Sequence, residues 1–396
     1  MDLISFLYEN FTHITWQMPV MWAIGGILIF LAIKKDMEPT LLLPMGFGAI
    51  MVNLPFSGAI TQYRDGNNNI ISFEQYEALV EQGLEAEVEE GMLSVLFNSG
   101  IANELFPLIL FIGIGAMIDF GPLLSNPKLF ILGGAAQLGI FVTIILAAMI
   151  GFPIKDAASI GIIGAADGPT AIMVSQVLQS SYVAPIIVVA YSYMALVPIV
   201  QPAVVKLCTT KKERLIKMQY TSTNVTKLTR ILFPILVTVI AGLIAPESLS
   251  LVGMLMFGNL IRECGVLQSL SETAQTTFSN IITLLLGITI AFQMQAENFL
   301  KFETLIIMAL GLFAFVFDTI GGVFCAKFMN LFTKNKINPI IGAAGISAFP
   351  MAARVAEKLG ISEDPNNHLL MHAVGVNVSG QIASAIVGGL IIGLVL

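Results

Sequence analysis

Gly161-Ile162-Ile163-Gly164-Ala165-Ala166-Asp167-Gly168-Pro169-Thr170 and Asn338-Pro339-Ile340-Ile341-Gly342-Ala343-Ala344-Gly345-Ile346-Ser347 decide how this chain is read. Both contain Ile-Ile-Gly-Ala-Ala, once as Ile162–Ala166 and once as Ile340–Ala344. The first copy runs into Asp167, whereas the second continues through Ser347, Phe349 and Pro350 to Arg354. Apolar segments interrupted by glycine and proline, in corresponding places of two halves, point to a site near the midplane of a membrane transporter.

Composition agrees with a membrane setting. Hydrophobic residues make up 56% of the 396 residues and charged ones only 11%, with mean hydropathy +0.86. Soluble domains carry about 25% charged residues, so an ordinary globular protein is excluded. Met1–Thr15 holds Asp2 and Glu9 but no Lys or Arg. It lacks the basic start of a cleavable signal peptide, and the first apolar stretch is expected to remain.

The net charge of −7 is concentrated. Asp65, Glu74, Glu77, Glu81, Glu85, Glu87, Glu89 and Glu90 form one acidic run. Lys206, Lys211, Lys212, Arg214, Lys217, Lys227 and Arg230 form the opposing basic cluster. That cluster reads as a cytoplasmic loop obeying the positive-inside rule, not as a nucleic-acid footprint. Cys208, Cys264 and Cys325 lie far apart, without metal or disulfide spacing. His368 and His372 stand four residues apart, a spacing that would face them the same way on a helix, but without a third ligand the pair is read as incidental.

The fold class predicted is an all-α polytopic membrane protein. Its about ten transmembrane helices fall near 16–33, 39–56, 104–120, 129–150, 182–205, 229–246, 248–264, 278–296, 304–329 and 368–396, each near the roughly 20 residues needed to cross. Lys34 and Lys35 place the first loop inside and the N-terminus outside. The acidic 57–98 segment then lies outside, as an amphipathic helix through Phe73, Tyr76, Val80, Leu84, Val88 and Met92 or as a solvated loop. If 157–178 crossed fully, the basic 206–228 linker would fall outside. The conflict disappears if 157–178 and 338–356 are re-entrant or broken hairpins, which is permitted where they are buried in protein or line a wet cavity. The halves 1–205 and 229–396 then form an inverted-topology repeat, with hairpins entering from opposite faces.

Asp167 is the sharpest candidate for chemistry, because a carboxylate at mid-membrane costs about 2.5–3.5 kcal/mol on insertion scales without a cation, proton or partner. The plainer reading makes it the cap of its second half-helix. Thr170, Ser347, Asn338, Asn377 and Ser379 supply oxygen and amide groups nearby, an inventory suited to Na⁺ or, alternatively, to helix–helix hydrogen bonding. Arg354 matches a carboxylate bidentately, or else anchors its hairpin at the interface. Tyr191 and Tyr193 are candidates to relay a proton. Asp119 and Asp318 read as interfacial or interhelical polar groups.

Gly161–Thr170 and Asn338–Arg354 closely resemble the signatures of the β subunits of Na⁺-pumping, biotin-dependent decarboxylases acting on oxaloacetate, methylmalonyl-CoA or glutaconyl-CoA. The resemblance extends through Phe111–Leu124 and His368–Gly389 and leaves out the 57–98 segment. It implies a subunit that decarboxylates carboxybiotin, consumes a proton and exports Na⁺. Asp167, Tyr193, Asn338, Gly342, Ser347 and Arg354 match functional positions, and Asn377 and Ser379 a further motif. Implied partners are a biotin carrier, a carboxyltransferase subunit, a small membrane subunit and further copies of the chain, in a bacterial inner membrane. In that frame Asp167, Thr170, Ser347, Asn377 and Ser379 would hold Na⁺, Arg354 with Gly342 and Asn338 would meet carboxybiotin, and Arg354, Tyr193 and Asp167 would carry the chemistry. A plain Na⁺-coupled secondary transporter or Na⁺/H⁺ exchanger is the competing class; a mere anchor for soluble subunits is the third.

Overall fold

The computed structural model describes residues 10–35, 38–67, 69–194, 196–218 and 225–396. The described residues are helical apart from loops and one small sheet. Part of the N-terminal segment Met1–Thr15 and residues 219–224 of the basic linker lie outside them. The chain forms two compact units, one built from the residues up to Phe106 with Asn280–Phe302, the other from Pro107–Ser279 with Glu303–Leu396.

In the first unit, the helices Gln17–Lys35 and Pro39–Val52 pack side by side. Asn53 closes the second of them: its Nδ2 donates to Ala49 O at 2.7 Å and Met294 O at 2.8 Å, and its Oδ1 accepts from Ala296 N at 2.7 Å. The acidic segment is neither one long helix nor a bare loop. Strands β1 (Gln62–Asp65), β2 (Ile70–Ile71) and β3 (Ala86–Glu89) form an antiparallel sheet in the order β2-β1-β3. The helix is confined to Phe73–Glu81, where Ser72 and Gln75 form a capping box. Gly83, at φ 71°, ends it, so Leu84 and Val88 cannot continue the apolar stripe. Tyr63 of β1 stacks near Phe73 and Tyr76, which gives the helix its apolar seat.

Among the described residues, six helices are long and apolar enough to cross a membrane, and up to eight if each of two bent pairs is one span. About ten were expected. The difference lies in helices that are shorter than their apolar stretches. Pro39–Val52 has 14 residues with Pro44 inside, and thus rises about 21 Å against a hydrocarbon thickness of ~30 Å. Leu249–Cys264 has 16 residues. The expected span 182–205 is bent by 71° between Pro185–Met194 and Val197–Cys208.

The second unit holds both duplicated motifs. The first is a broken hairpin: Ile154–Gly161, a tighter turn over Ile162–Ala165, then Gly168–Val177. At the break Ala166 adopts φ 51°, a left-handed conformation costing an L-residue about 1–2 kcal/mol. The second hairpin has a single turn at Ile340–Ala343, an irregular stretch, and the helix Met351–Glu363. Two long helices, Phe302–Phe332 and Leu370–Val395, run past these breaks. Gly311 is packed so closely that a Cβ would strike Tyr193 and Ile163, and Ala314 fills the space beside Gly164. Gly133 is likewise pressed on Ser379 and Gly380, with Ala136 beside Gly345. Gly133 and Ala136 precede Gly311 and Ala314 by the same interval that separates Ile162 from Ile340.

The described part of the basic linker is latched to the second hairpin. Arg214 Nε meets Glu363 Oε1 at 2.8 Å, both largely buried, and Lys217 pairs with Asp364 at 2.9 Å. Lys327 pairs with Glu213 at 3.1 Å. Burial alone would raise Glu213, but hydrogen bonds from Thr210 and the Lys327 ammonium hold it below its ordinary 4.5. Asp364 is also lowered, by Lys217 and the Asn366 amide. A carboxylate with a lowered folded pKa stabilises above its unfolded value and loses that contribution as pH falls through the folded one. Protection across residues 209–218, read as hydrogen exchange corrected for the intrinsic pH dependence of amide exchange, is therefore expected to stay constant between about pH 6 and 8 and to fall below about pH 4. Removing the buried partner, Arg214→Met, is expected to cost about 3 kcal/mol, measured as a lowered unfolding midpoint in detergent.

Candidate ion site at the two helix breaks

The two breaks touch through the backbone: Ser347 N donates to Ala165 O at 3.0 Å. Around this junction lie most of the groups singled out in the sequence. Asp167 stands at the N-cap position of Gly168–Val177 in an extended conformation and is 4% exposed. Its Oδ2 accepts from Thr170 Oγ1 at 2.6 Å and, more distantly, from Ser384 Oγ at 3.5 Å. The capping place and a buried carboxylate with hydroxyl partners thus coincide in one residue. Tyr191 lies flat on Gly168, where a Cβ would strike its ring, and its hydroxyl has no partner among the described residues. Tyr193 instead donates its hydroxyl to Met308 O.

The second break exposes five successive carbonyls, and each receives a side-chain amide. Gln201 Nε2 donates to Ala343 O at 2.6 Å. Asn377 Nδ2 bridges Ala344 O at 3.1 Å and Ile346 O at 2.7 Å. Gln137 Nε2 reaches Gly345 O at 3.4 Å, and Gln381 Nε2 donates to Ser347 O. Without these donors the carbonyls would be buried unpaired, at about 1–3 kcal/mol each. The carboxamide oxygens Gln137 Oε1, Gln201 Oε1, Asn377 Oδ1 and Gln381 Oε1 are left buried and unpartnered among the described residues. Hard monovalent or divalent cations take such oxygens, with carboxylate and hydroxyl, as ligands.

Of the remaining candidates, Ser347 stays at the junction and the others fall elsewhere. Ser347 Oγ donates to Gly380 O at 3.0 Å, so it belongs to the junction. Ser379 faces away from Asn377 on the same helix, to Leu129 O at 3.1 Å and Val376 O at 2.7 Å. Asn338 is fully engaged: Nδ2 donates to Arg214 O and Ile216 O, both at 2.8 Å, and Oδ1 accepts from Ile340 N. Gly342 lies against the backbone of Gly322, which leaves no room for a side chain. Arg354 stands in the first turn of Met351–Glu363, exposed, with no ion pair of its own among the described residues. Asp119 caps Gly121 at 2.8 Å and pairs with Arg230 at 3.6 Å, as an interfacial group does. His368 meets Glu357 at 2.9 Å.

Sequence reasoning passed over Gln137, Gln201, Gln381 and Ser384. Gln381 and Ser384 follow Asn377 at helical spacing on one face of Leu370–Val395, a signal visible in the sequence. Gln201 carried no such signal, since its partner is distant in the chain. Asp318, ranked low, is wholly buried: Oδ1 accepts from Gly139 N at 2.5 Å, while Oδ2 packs on Gly164 without a hydrogen-bond partner among the described residues.

These features define a polytopic membrane protein with a carboxylate and amide site built on two abutting helix breaks. Residues 17–395 match the family described as the Na⁺-transporting oxaloacetate decarboxylase beta subunit. The methylmalonyl-CoA decarboxylase subunit beta of Propionigenium modestum is 48% identical, over 95% of this chain and 94% of its own. The glutaconyl-CoA decarboxylase subunit beta of Acidaminococcus fermentans is 43% identical, over 98% and 96%. A probable oxaloacetate decarboxylase beta chain of Vibrio cholerae is also 43% identical, over 96% of each. The chain belongs to this family of decarboxylase β subunits.

Replacing Gln201 by Met keeps its length but removes the donor to Ala343 O. The unfolding midpoint is expected to fall by an amount equivalent to about 1–3 kcal/mol, read by thermal denaturation of the purified protein.

Proposed function

We propose that this chain is the membrane subunit of a Na⁺ pump, in which decarboxylation of carboxybiotin consumes a proton and drives Na⁺ export. The observation that carries the reading is the junction itself. A buried carboxylate, Asp167, sits at one break, and the other break, hydrogen-bonded to it through Ala165 and Ser347, leads to an unpaired, exposed arginine. One pole suits a desolvated cation and the other an incoming carboxylate.

In this reading Asp167, Thr170 and the oxygens around Asn377 and Ser347 receive Na⁺, with Ser379 supporting the helix that presents them. Arg354 draws the carboxylate of carboxybiotin, which a partner's carrier domain delivers. Cleavage releases carbon dioxide and leaves a biotin nitrogen to be protonated; Tyr193, freed from Met308 O, helps to supply that proton. Asn338 and Gly342 set the position of the second hairpin and so of Arg354. A carboxyltransferase subunit, a biotin carrier, a small membrane subunit and further copies of the chain complete the complex. It would reside in a bacterial inner membrane with the N-terminus outside.

The halves 1–205 and 229–396 are proposed as an inverted repeat joined by the 206–228 linker, with hairpins 157–178 and 338–356. The equal spacing of Gly133/Ala136 and Gly311/Ala314 supports it, since each pair packs against residues of the opposite half. A Na⁺-coupled carrier without covalent chemistry would use the same site, but no observation favours it. Moving one charge against 100 mV costs about 2.3 kcal/mol, so the cleavage and the ion step must share one conformational change.

Asp167→Asn is expected to abolish Na⁺-dependent decarboxylation in proteoliposomes; turnover at the wild-type rate would exclude Asp167 from the ion path. Arg354→Gln is expected to lose carboxybiotin cleavage while Na⁺ binding persists. Avidin, by capturing biotin, is expected to stop Na⁺ uptake; transport that continues under avidin would instead establish the carrier class.

A further inference from the structure

The last turns of the helix Phe302–Phe332 carry Phe324, Phe328 and Leu331 outward at helical spacing, 52%, 61% and 76% exposed. With Lys212, Lys327 and Lys336 they line an open groove of about 660 Å³. Glu213 is the carboxylate in the lining, and it is paired with Lys327. Lys327 also donates to Cys208 O at 3.0 Å and stands 5.4 Å from the Phe324 ring centre. Lys336 donates to Asn330 O at 2.5 Å, which leaves other protons of its ammonium available. Lys212 is exposed. Three ammonium groups against one carboxylate leave the groove positive beside an aromatic and aliphatic wall.

We propose that this groove binds an acidic phospholipid, its phosphate held by Lys212 and Lys336 and its acyl chains lying along Phe324, Phe328 and Leu331. Basic pockets at the cytoplasmic ends of membrane helices select anionic headgroups in this way. The wall continues the outward face of a helix long and apolar enough to span, where Phe313 and Leu312 are also exposed. Such a face has lipid as its natural neighbour, since apolar area alone gives helices little drive to associate within a bilayer. The site also abuts the second hairpin. Ile216 lines the groove while its carbonyl holds Asn338, and Lys336 lies two residues before that asparagine. A bound headgroup would therefore brace the latch that sets the start of the hairpin.

The test is a lipid-binding measurement that needs no turnover, so its outcome is independent of the decarboxylase reading. The complex purified from membranes is placed in nanodiscs of phosphatidylcholine alone or with phosphatidylglycerol, and retained lipid is counted by native mass spectrometry. Wild-type protein is expected to retain phosphatidylglycerol preferentially, with the preference falling as salt rises. The double variant Lys212→Gln/Lys336→Gln is expected to weaken retention about twenty-five-fold, from roughly five-fold per lysine. Lys128→Gln, on a different loop, is expected to leave it unchanged. Equal retention of the two lipids by the wild type, or unaltered phosphatidylglycerol affinity in the double variant, would overturn the proposal. So would a photocrosslinker at Phe328 that captures a protein subunit in place of lipid. If the double variant does not survive purification, the wild-type comparison across salt decides the matter alone.

Discussion

Breaking a helix inside a membrane releases backbone groups that have no water to turn to. In this chain the break at Ala343–Ser347 releases successive carbonyls, and Gln201, Asn377, Gln137 and Gln381 supply the missing donors one after another. The ladder missing from the hairpin is thus rebuilt from side chains of other helices. Everything near the site follows from this arrangement. It fixes where Leu370–Val395 must lie, since two of the four amides come from that helix. It also determines which oxygens are left over, because an amide that gives its hydrogens to a carbonyl turns its own oxygen elsewhere.

The first break solves the same problem differently. Ala165 O takes the Ser347 amide, and Ala166 accepts a left-handed turn so that Gly168–Val177 can begin again. The side chain presented there is a carboxylate rather than an amide. Two copies of Ile-Ile-Gly-Ala-Ala therefore share a backbone interruption while differing in charge: Asp167 after one, Arg354 well beyond the other. The helix Phe302–Phe332 keeps them in register, meeting Ile163 and Gly164 through Gly311 and Ala314 and meeting Gly342 through Gly322. On that same helix Asp318 bonds the start of Leu138–Ile150. A displacement of either hairpin would have to slide along this surface.

The membrane class, both broken hairpins, the carboxylate and the arginine were legible because each leaves a local mark: apolar length, a repeated glycine motif, or a charge where charge is costly. The family was legible from the same two motifs. What escaped was set by tertiary partners. Gln201 looks like any polar residue in an apolar helix until Ala343 O is placed before it. Ser379, adjacent in sequence to Asn377, turns to a different helix because helical neighbours diverge around the axis. Asn338 suggested a ligand, yet its amide holds the linker. The sheet at 62–89 was missed because strands of two to four residues carry little alternation to detect.

Relatives named for methylmalonyl-CoA, glutaconyl-CoA and oxaloacetate are almost equally similar to this chain. A sequence that recognised the acid itself should resemble one of them more than the others. Near-equal distance is what is expected if the step in this chain begins after the acid has been dealt with, on a carrier common to all. The geometry has the same character. Arg354 is exposed and unpaired, fit to meet a group arriving from outside, whereas Asp167 is sealed among hydroxyls and an aromatic ring. In the proposed reading, a carboxylate at Arg354 acts on Asp167 through the second hairpin, by its contact at Ser347 and by the helix Leu370–Val395, whose Ser384 meets Asp167. In that reading the coupling runs through backbone that the four carboxamides hold in place, rather than residing at either charge.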